Sequence, residues 1–188
     1  MQAALPAAKL TIIGEGPFRE PMLQMVRAMK IADHTHFVGE IPHNMVHQHL
    51  RSAAVFLQHS VTADDGDEEG LPVSILEAMA EGLPVVSTRH AGIPEAVEDG
   101  HAGFIVGPGD CEQMAVKTVQ LLLDPPLRVR MGASGQQTVN DRYSIESALN
   151  RLRTVLLKHW PEERKGLSEG EGNMDSHEMS VAGSRTQT

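Results

Sequence analysis

Five short apolar runs alternate with segments of helical period, and that alternation restricts the fold more than any other feature of the chain. Residues 9–13, 36–38, 54–57, 84–87 and 103–106 read as strands, each too short to be a helix and most bounded by Gly or Pro. Between them lie helical segments. Met22, Met25, Val26 and Met29 share a helical spacing, residues 43–52 follow, and a helix is expected from about Pro72 to Glu81. A short helix near residues 94–97 comes next, then one from an N-cap at Asp110 to Leu123, then two more at 126–139 and 144–159. Strands that alternate with helices pair in parallel, so the expected fold is α/β, with a parallel sheet covered by helices on both faces.

The 188 residues suffice for one domain, expected over residues 1–160, with a tail at 161–188. The tail is rich in Gly, Ser and Glu, has no aromatic residue and no period, and is expected to be disordered. Charge is concentrated. Asp64, Asp65, Asp67, Glu68 and Glu69 carry five negatives and the tail a net three, together eight of the net nine. The remainder is nearly neutral and has no basic stripe, which argues against a nucleic-acid partner. The single cysteine, Cys111, excludes an internal disulfide and points to a reducing, cytoplasmic setting. No apolar run approaches the ~18 residues of a membrane span, and the first residues lack the pattern of a signal peptide.

Glu69-Gly70-Leu71-Pro72-Val73-Ser74-Ile75-Leu76-Glu77 sets two carboxylates eight positions apart across a helix start. Pro is favoured at the first helical position. Free N–H groups and the positive end of the macrodipole make such a start an anion site. Acids on either side of it suit a ligand that carries phosphate and many hydroxyls. The same residues also fit a plain structure, with Glu69 complementing the macrodipole and Glu77 an ordinary surface acid.

Other motifs carry less. Gly14-Glu15-Gly16-Pro17-Phe18-Arg19 follows a strand but has Arg where a dinucleotide fingerprint needs Gly or Ala, so it reads as a tight strand-to-helix turn. The acidic loop at 64–69 lacks calcium-loop spacing and reads as solvated. Histidines 34, 36, 43, 47, 49 and 59 are crowded, and His43 and His47 share a helix face. With no cysteine among them and no HExxH pattern, no metal site is expected. Cys111 lies between Asp110 and Glu112, whose charge disfavours a thiolate nucleophile.

The block from Ser60-Val61-Thr62-Ala63 through Glu69-Gly70-Leu71-Pro72, Leu76-Glu77-Ala78-Met79-Ala80 and Gly82-Leu83-Pro84-Val85-Val86-Ser87-Thr88 to His90-Ala91-Gly92-Ile93-Pro94-Glu95 resembles the signature of family-four glycosyltransferases. It is most similar to their colanic acid and exopolysaccharide branch. Gly14-Glu15-Gly16-Pro17, Phe37-Val38-Gly39 and Asp99-Gly100-His101-Ala102-Gly103-Phe104 fall in the order that the resemblance implies, over roughly residues 8–158.

The resemblance implies the Rossmann-like C-terminal half of a GT-B enzyme. Such an enzyme retains anomeric configuration and takes a UDP- or GDP-sugar as donor, with no cofactor. Glu69 resembles the acid at the donor sugar and is the expected catalytic residue. Gly70, Leu71, Pro72 and Val73 resemble the backbone that approaches sugar and phosphate. Glu77 resembles the acid that accepts from the ribose hydroxyls. The implied acceptor is a polysaccharide or lipid-linked glycan, and the implied acceptor half is a route to peripheral membrane association. The family's Arg and Lys for the diphosphate precede the part matched here. The expectation is therefore a truncated donor-binding half, inactive alone and lacking a central strand of its sheet. Two rivals stand beside it: a non-catalytic binding module or remnant, and a GT-B epimerase or phosphorylase.

Overall fold

The computed structural model describes Leu5, residues 7–63, Gly66 and residues 68–159. The expected tail at 161–188 and three acids of the acidic loop, Asp64, Asp65 and Asp67, lie outside the described residues. The chain divides into two units, Met1–Ala148 and Leu149–Thr188.

In the first unit the order is β1 (Leu10–Ile13), α1 (Arg19–Ala28), a 3-10 turn (Ala32–His34), β2 (Thr35–Gly39), α2 (His43–Ser52), β3 (Phe56–Gln58), α3 (Val73–Ala80), β4 (Val85–Thr88), α4 (Ile93–Ala96), β5 (Gly103–Val106), α5 (Cys111–Leu123) and α6 (Pro125–Arg142). Helix α7 (Ile145–His159) starts there, with the Ser144 hydroxyl accepting from the Ser147 amide, and forms the described part of the second unit.

Every strand pair is parallel, but the strands form two sheets, β1-β2 and β3-β4-β5. The larger sheet is buried on both faces. Val85 and Ile105 belong to one cluster with Leu50 of α2, Ile75, Ala78 and Met79 of α3, and Ile93 of α4. Val86 and Phe104, the next side chains along each strand, belong to another with Leu121 of α5 and Leu127 and Met131 of α6. Alternate residues of a strand point to opposite faces, so helices cover both sides, as the alternating pattern requires. Ile75, Met79 and Leu121 are fully buried, and each such side chain stabilises the fold by about 1.5–3 kcal/mol. None of the buried apolar residues comes from β1, α1 or β2; Met25 of α1 is exposed, as are Phe18 and Met29 at its two ends.

Several boundaries depart from expectation. Pro72 has φ −58° and ψ 125°, so it is the N-cap of α3 rather than its first helical residue, and the helix ends at Ala80 rather than Glu81. The Ile75 amide donates to the Pro72 carbonyl, so that carbonyl takes the first turn's bond. Helix α6 runs three residues beyond 139 and begins at Pro125, because Asp124 accepts from the Leu127 amide and Pro fits the first turn.

Candidate functional site at the start of helix 3

Parallel α/β sheets bind ligands beyond the C-terminal ends of their strands. Here those ends carry the loop after β3 that leads to α3, the loop after β4 that leads to α4, and the loop after β5. Buried hydroxyls fix the first two. The Thr88 hydroxyl donates to the Ser60 carbonyl at 2.6 Å and accepts from the Ser60 amide at 3.1 Å. Ser87 donates to the Gln58 carbonyl at 2.6 Å. Farther out, the Gly92 amide donates to the Gly70 carbonyl at 2.7 Å. The third loop is tied in where the Gly109 amide donates to His59 Nε2 at 3.2 Å.

These bonds hold the start of α3 open. No side chain caps it, and the first amides of any helix have no partner within it. Glu69 and Gly70 are exposed just before it, Leu71 is half-buried, Pro72 is buried, and Val73 is exposed on the first turn. Pro72 anchors the turn while its neighbours face outward. Thr62 donates to Glu68 Oε1 at 2.6 Å.

Glu77 lies one turn inside α3 and is mostly buried. Its Oε1 faces His43 Nε2 of α2 at 3.6 Å. His43 Nε2 lies 3.3 Å from His47 Nε2, and His47 Nδ1 lies 2.9 Å from Glu81 Oε1. Arg51 completes the row, its Nε donating to Glu81 Oε2 at 2.9 Å. The hydrogen bond from Arg51 holds the Glu81 carboxyl below its ordinary range; partial burial opposes the shift and His47 adds to it. Glu81 in turn raises the Arg51 guanidinium. Among the described residues, no group of three or more His, Cys, Asp or Glu side chains could hold a metal ion.

The structure thus brings Gly70 to Gly92 and Glu77 to the His43 row. It keeps Glu69 and Glu77 apart, in the loop and one turn inside the helix. Several neighbours escaped the sequence reading. Ser60 Oγ and His90 Nε2 are buried with no hydrogen-bond partner among the described residues, an arrangement that polar atoms rarely tolerate without a ligand or water. Ala91 adopts φ 42° between them and α4, and strain of that kind gathers at functional loops. No sequence signal marks a strained Ala. The motif His90-Ala91-Gly92 was in view, but not its burial.

Comparison with known proteins gives a consistent result. Residues 1–138 match the family model described as glycosyl transferases group 1. The putative colanic acid biosynthesis glycosyltransferase WcaL of Salmonella typhimurium is 40% identical over 114 residues, 61% of this chain and 28% of that protein. The amylovoran biosynthesis glycosyltransferase AmsK of Erwinia amylovora is 40% identical over 146 residues, 78% of this chain and 36% of that protein. The chain therefore spans about a third of the length of these relatives. Among solved structures, the C-terminal domain of a glycosyl transferase group 1 family protein (LpcC) from Francisella tularensis superposes with a TM-score of 0.67 at 26% identity. The match covers 77% of this chain and 74% of that one. Anabaena Alr3699/HepE in complex with UDP superposes with a TM-score of 0.71 at 21% identity, covering 83% and 43% of the two chains.

Proposed function

The chain belongs to the glycosyl transferases of group 1, and from that premise we propose that it forms the donor-binding half of a GT-B glycosyltransferase of polysaccharide biosynthesis. The reaction is retaining transfer of a glycosyl group from a UDP- or GDP-sugar to a polysaccharide or lipid-linked glycan, in the cytoplasm and without a cofactor. The bond from the sugar's anomeric carbon to the diphosphate breaks, a bond to the oxygen of an acceptor hydroxyl forms, and the nucleoside diphosphate leaves together with the proton that hydroxyl loses.

One observation carries the reading: the uncapped start of α3 stands beyond the strand ends, with Glu69 before it and Glu77 one turn inside. Negative charge develops on the leaving diphosphate, and helix-start amides aimed at it stabilise that charge without reorganising. In this reading Gly70 to Val73 lie along sugar and phosphate. Gly70 has no Cβ to obstruct that approach. Glu77 accepts from the ribose hydroxyls, and Glu69 faces the sugar where positive charge grows. Residues 1–160 are the donor-binding domain and 161–188 an appended acidic tail. The names of the relatives support the polysaccharide assignment, and the UDP complex named above supports the donor class. Peripheral membrane association would belong to the acceptor half.

The test is product analysis with donor labelled in its sugar, using a protein in which this chain is joined to an acceptor-binding half. Label in a glycan with release of nucleoside diphosphate is the expected result. Label in an epimerised nucleotide-sugar, or in a sugar 1-phosphate, would assign the site to an epimerase or phosphorylase instead. The reading frame upstream of Met1 adds a second check. It should continue into a strand bearing the Arg and Lys for the diphosphate, whereas an immediate stop codon would favour a binding module.

A further inference from the structure

Helices α2 and α3 face each other through a row of side chains of which only Glu77 has a part in the proposed reaction. Helix α2 presents His43, His47 and Arg51, and α3 presents Glu77 and Glu81, each set at four-residue spacing. Residues four apart lie on one helix face, so the two rows meet in register. The contacts run Glu77 Oε1 to His43 Nε2 at 3.6 Å, His43 Nε2 to His47 Nε2 at 3.3 Å, His47 Nδ1 to Glu81 Oε1 at 2.9 Å, and Glu81 to Arg51.

The proton positions along this row follow from its far end. Arg51 keeps Glu81 ionised, and an ionised carboxylate only accepts. His47 must then carry its proton on Nδ1. In the neutral ring the other nitrogen is bare, so His47 Nε2 is an acceptor. His43 Nε2, 3.3 Å away, must be the donor. That one N–H therefore points to His47 while also standing 3.6 Å from Glu77, too far for a hydrogen bond.

A further proton can enter the row at either ring. On His47 Nε2 it would set two donors face to face unless neutral His43 moved its own proton to Nδ1. On His43 Nδ1 it leaves every existing bond intact and turns the ring into a cation beside Glu77. His43 is also the more accessible ring, its side chain 69% exposed against 32% for His47. Arg51, His47, Glu77 and Glu81 are the charged or titratable groups in contact with the row. Helix α6 meets α3 through Gly135 and Gln136, and the turn after α3 through Gly132, none of which titrates.

We propose that His43 is a positioning residue for Glu77, a proton-dependent latch. With His43 neutral, its N–H is committed to His47 and both Glu77 oxygens are free to accept. With His43 protonated, Glu77 Oε1 is drawn to α2 and one acceptor is withdrawn from any hydroxyl ligand. The functional part rests on the reading of Glu77 as the ribose acceptor. On that reading, ribose and the His43 proton compete, so nucleotide affinity rises as His43 loses its proton.

NMR of the full 188-residue chain tests the latch without a ligand. Imidazole 15N spectra at alkaline pH should show His47 as the Nδ1–H tautomer and His43 as the Nε2–H tautomer. The carboxylate 13C shift of Glu77 should follow the His43 titration in the native chain and lose that step in His43→Gln. An Nε2–H tautomer at His47, or a Glu77 response unchanged in His43→Gln, would overturn the proposal. Titration with UDP and GDP at successive pH values then tests the competition. Acidification should weaken binding by about two- to fivefold more in the native chain than in His43→Gln, the size expected of an exposed ion pair. The Gln variant cancels the ligand's own phosphate titration, and parallel profiles would remove the functional part. Absence of nucleotide binding in both proteins at every pH would defeat the donor-site reading, while the Glu77 shift still decides the latch.

Discussion

The amide of Gly92 donates to the carbonyl of Gly70 at 2.7 Å, so the loop after β4 is fastened to the loop that carries Glu69. A Cβ on Gly92 would stand 3.1 Å from that carbonyl oxygen and 3.5 Å from Leu71 Cβ. The residue's φ of −79° is ordinary, so what favours glycine is the close approach. Gly92→Ala should cost about 1–3 kcal/mol, as overpacking does, and should weaken nucleotide binding by displacing Gly70. Denaturant unfolding checks the first effect and a UDP titration the second. An unchanged unfolding midpoint would show that the loops part without cost.

Glu69 and Glu77 should respond differently to substitution. On the proposed reading Glu77 contacts ribose in ground and transition states alike, so Glu77→Gln should raise the donor KM by about tenfold with little change in kcat. Glu69→Gln should lower kcat, because the proposal sets it at the sugar, where charge grows. Steady-state kinetics on a protein that joins this chain to an acceptor half separates the two. Equal, negligible effects would remove both assignments.

Ala91 adopts the left-handed conformation, φ 42°, which costs a non-glycine residue about 1–2 kcal/mol. Ala91→Gly relieves that cost but frees the unfolded chain, so a net stabilisation of up to about 1 kcal/mol is expected. A lower melting temperature in the glycine variant would show that the Ala91 methyl packs usefully.

Glu81 links stability to acid. Its carboxyl is held below the ordinary value of 4.5, chiefly by the hydrogen bond from Arg51. A lowered pKa contributes stability above the unfolded value and loses it as pH falls through the folded one. Unfolding midpoints measured from about pH 6 downward should fall less steeply in Arg51→Ala than in the native chain. Matching slopes would mean that the pair contributes nothing to folding.

These relationships were visible in the sequence to very different degrees. Helix α2 lies at 43–52 as its spacing implies, β5 at 103–106, and Asp110 caps α5 by accepting from the Gln113 amide at 2.9 Å. Each depends on neighbours in sequence, which is where local signals act. The longer α6 was legible too, since Asp124 before Pro125 is a strong helix start. The helix expected at 126–139 already spans Gly132 and Gly135. A Cβ on Gly132 would overlap the Gly82 carbonyl oxygen, and one on Gly135 would lie 3.5 Å from Met79 Cγ, so close packing on α3 and its exit turn explains both glycines. The division into two sheets had no local signal, because it depends on which strands pair. The same holds for the row on α2. The sequence places His43 and His47 on one face, but only the fold sets Glu77 and Glu81 opposite them.

Amide mapping of nucleotide binding tests the central claim most directly. The 15N-labelled chain, titrated with UDP and with GDP, should show weak, fast-exchange binding. The shifts should be concentrated at Glu69 to Ser74 and His90 to Gly92, and Glu77→Gln should reduce them. Shifts spread elsewhere, or an unaltered pattern in Glu77→Gln, would contradict a donor site at the start of α3.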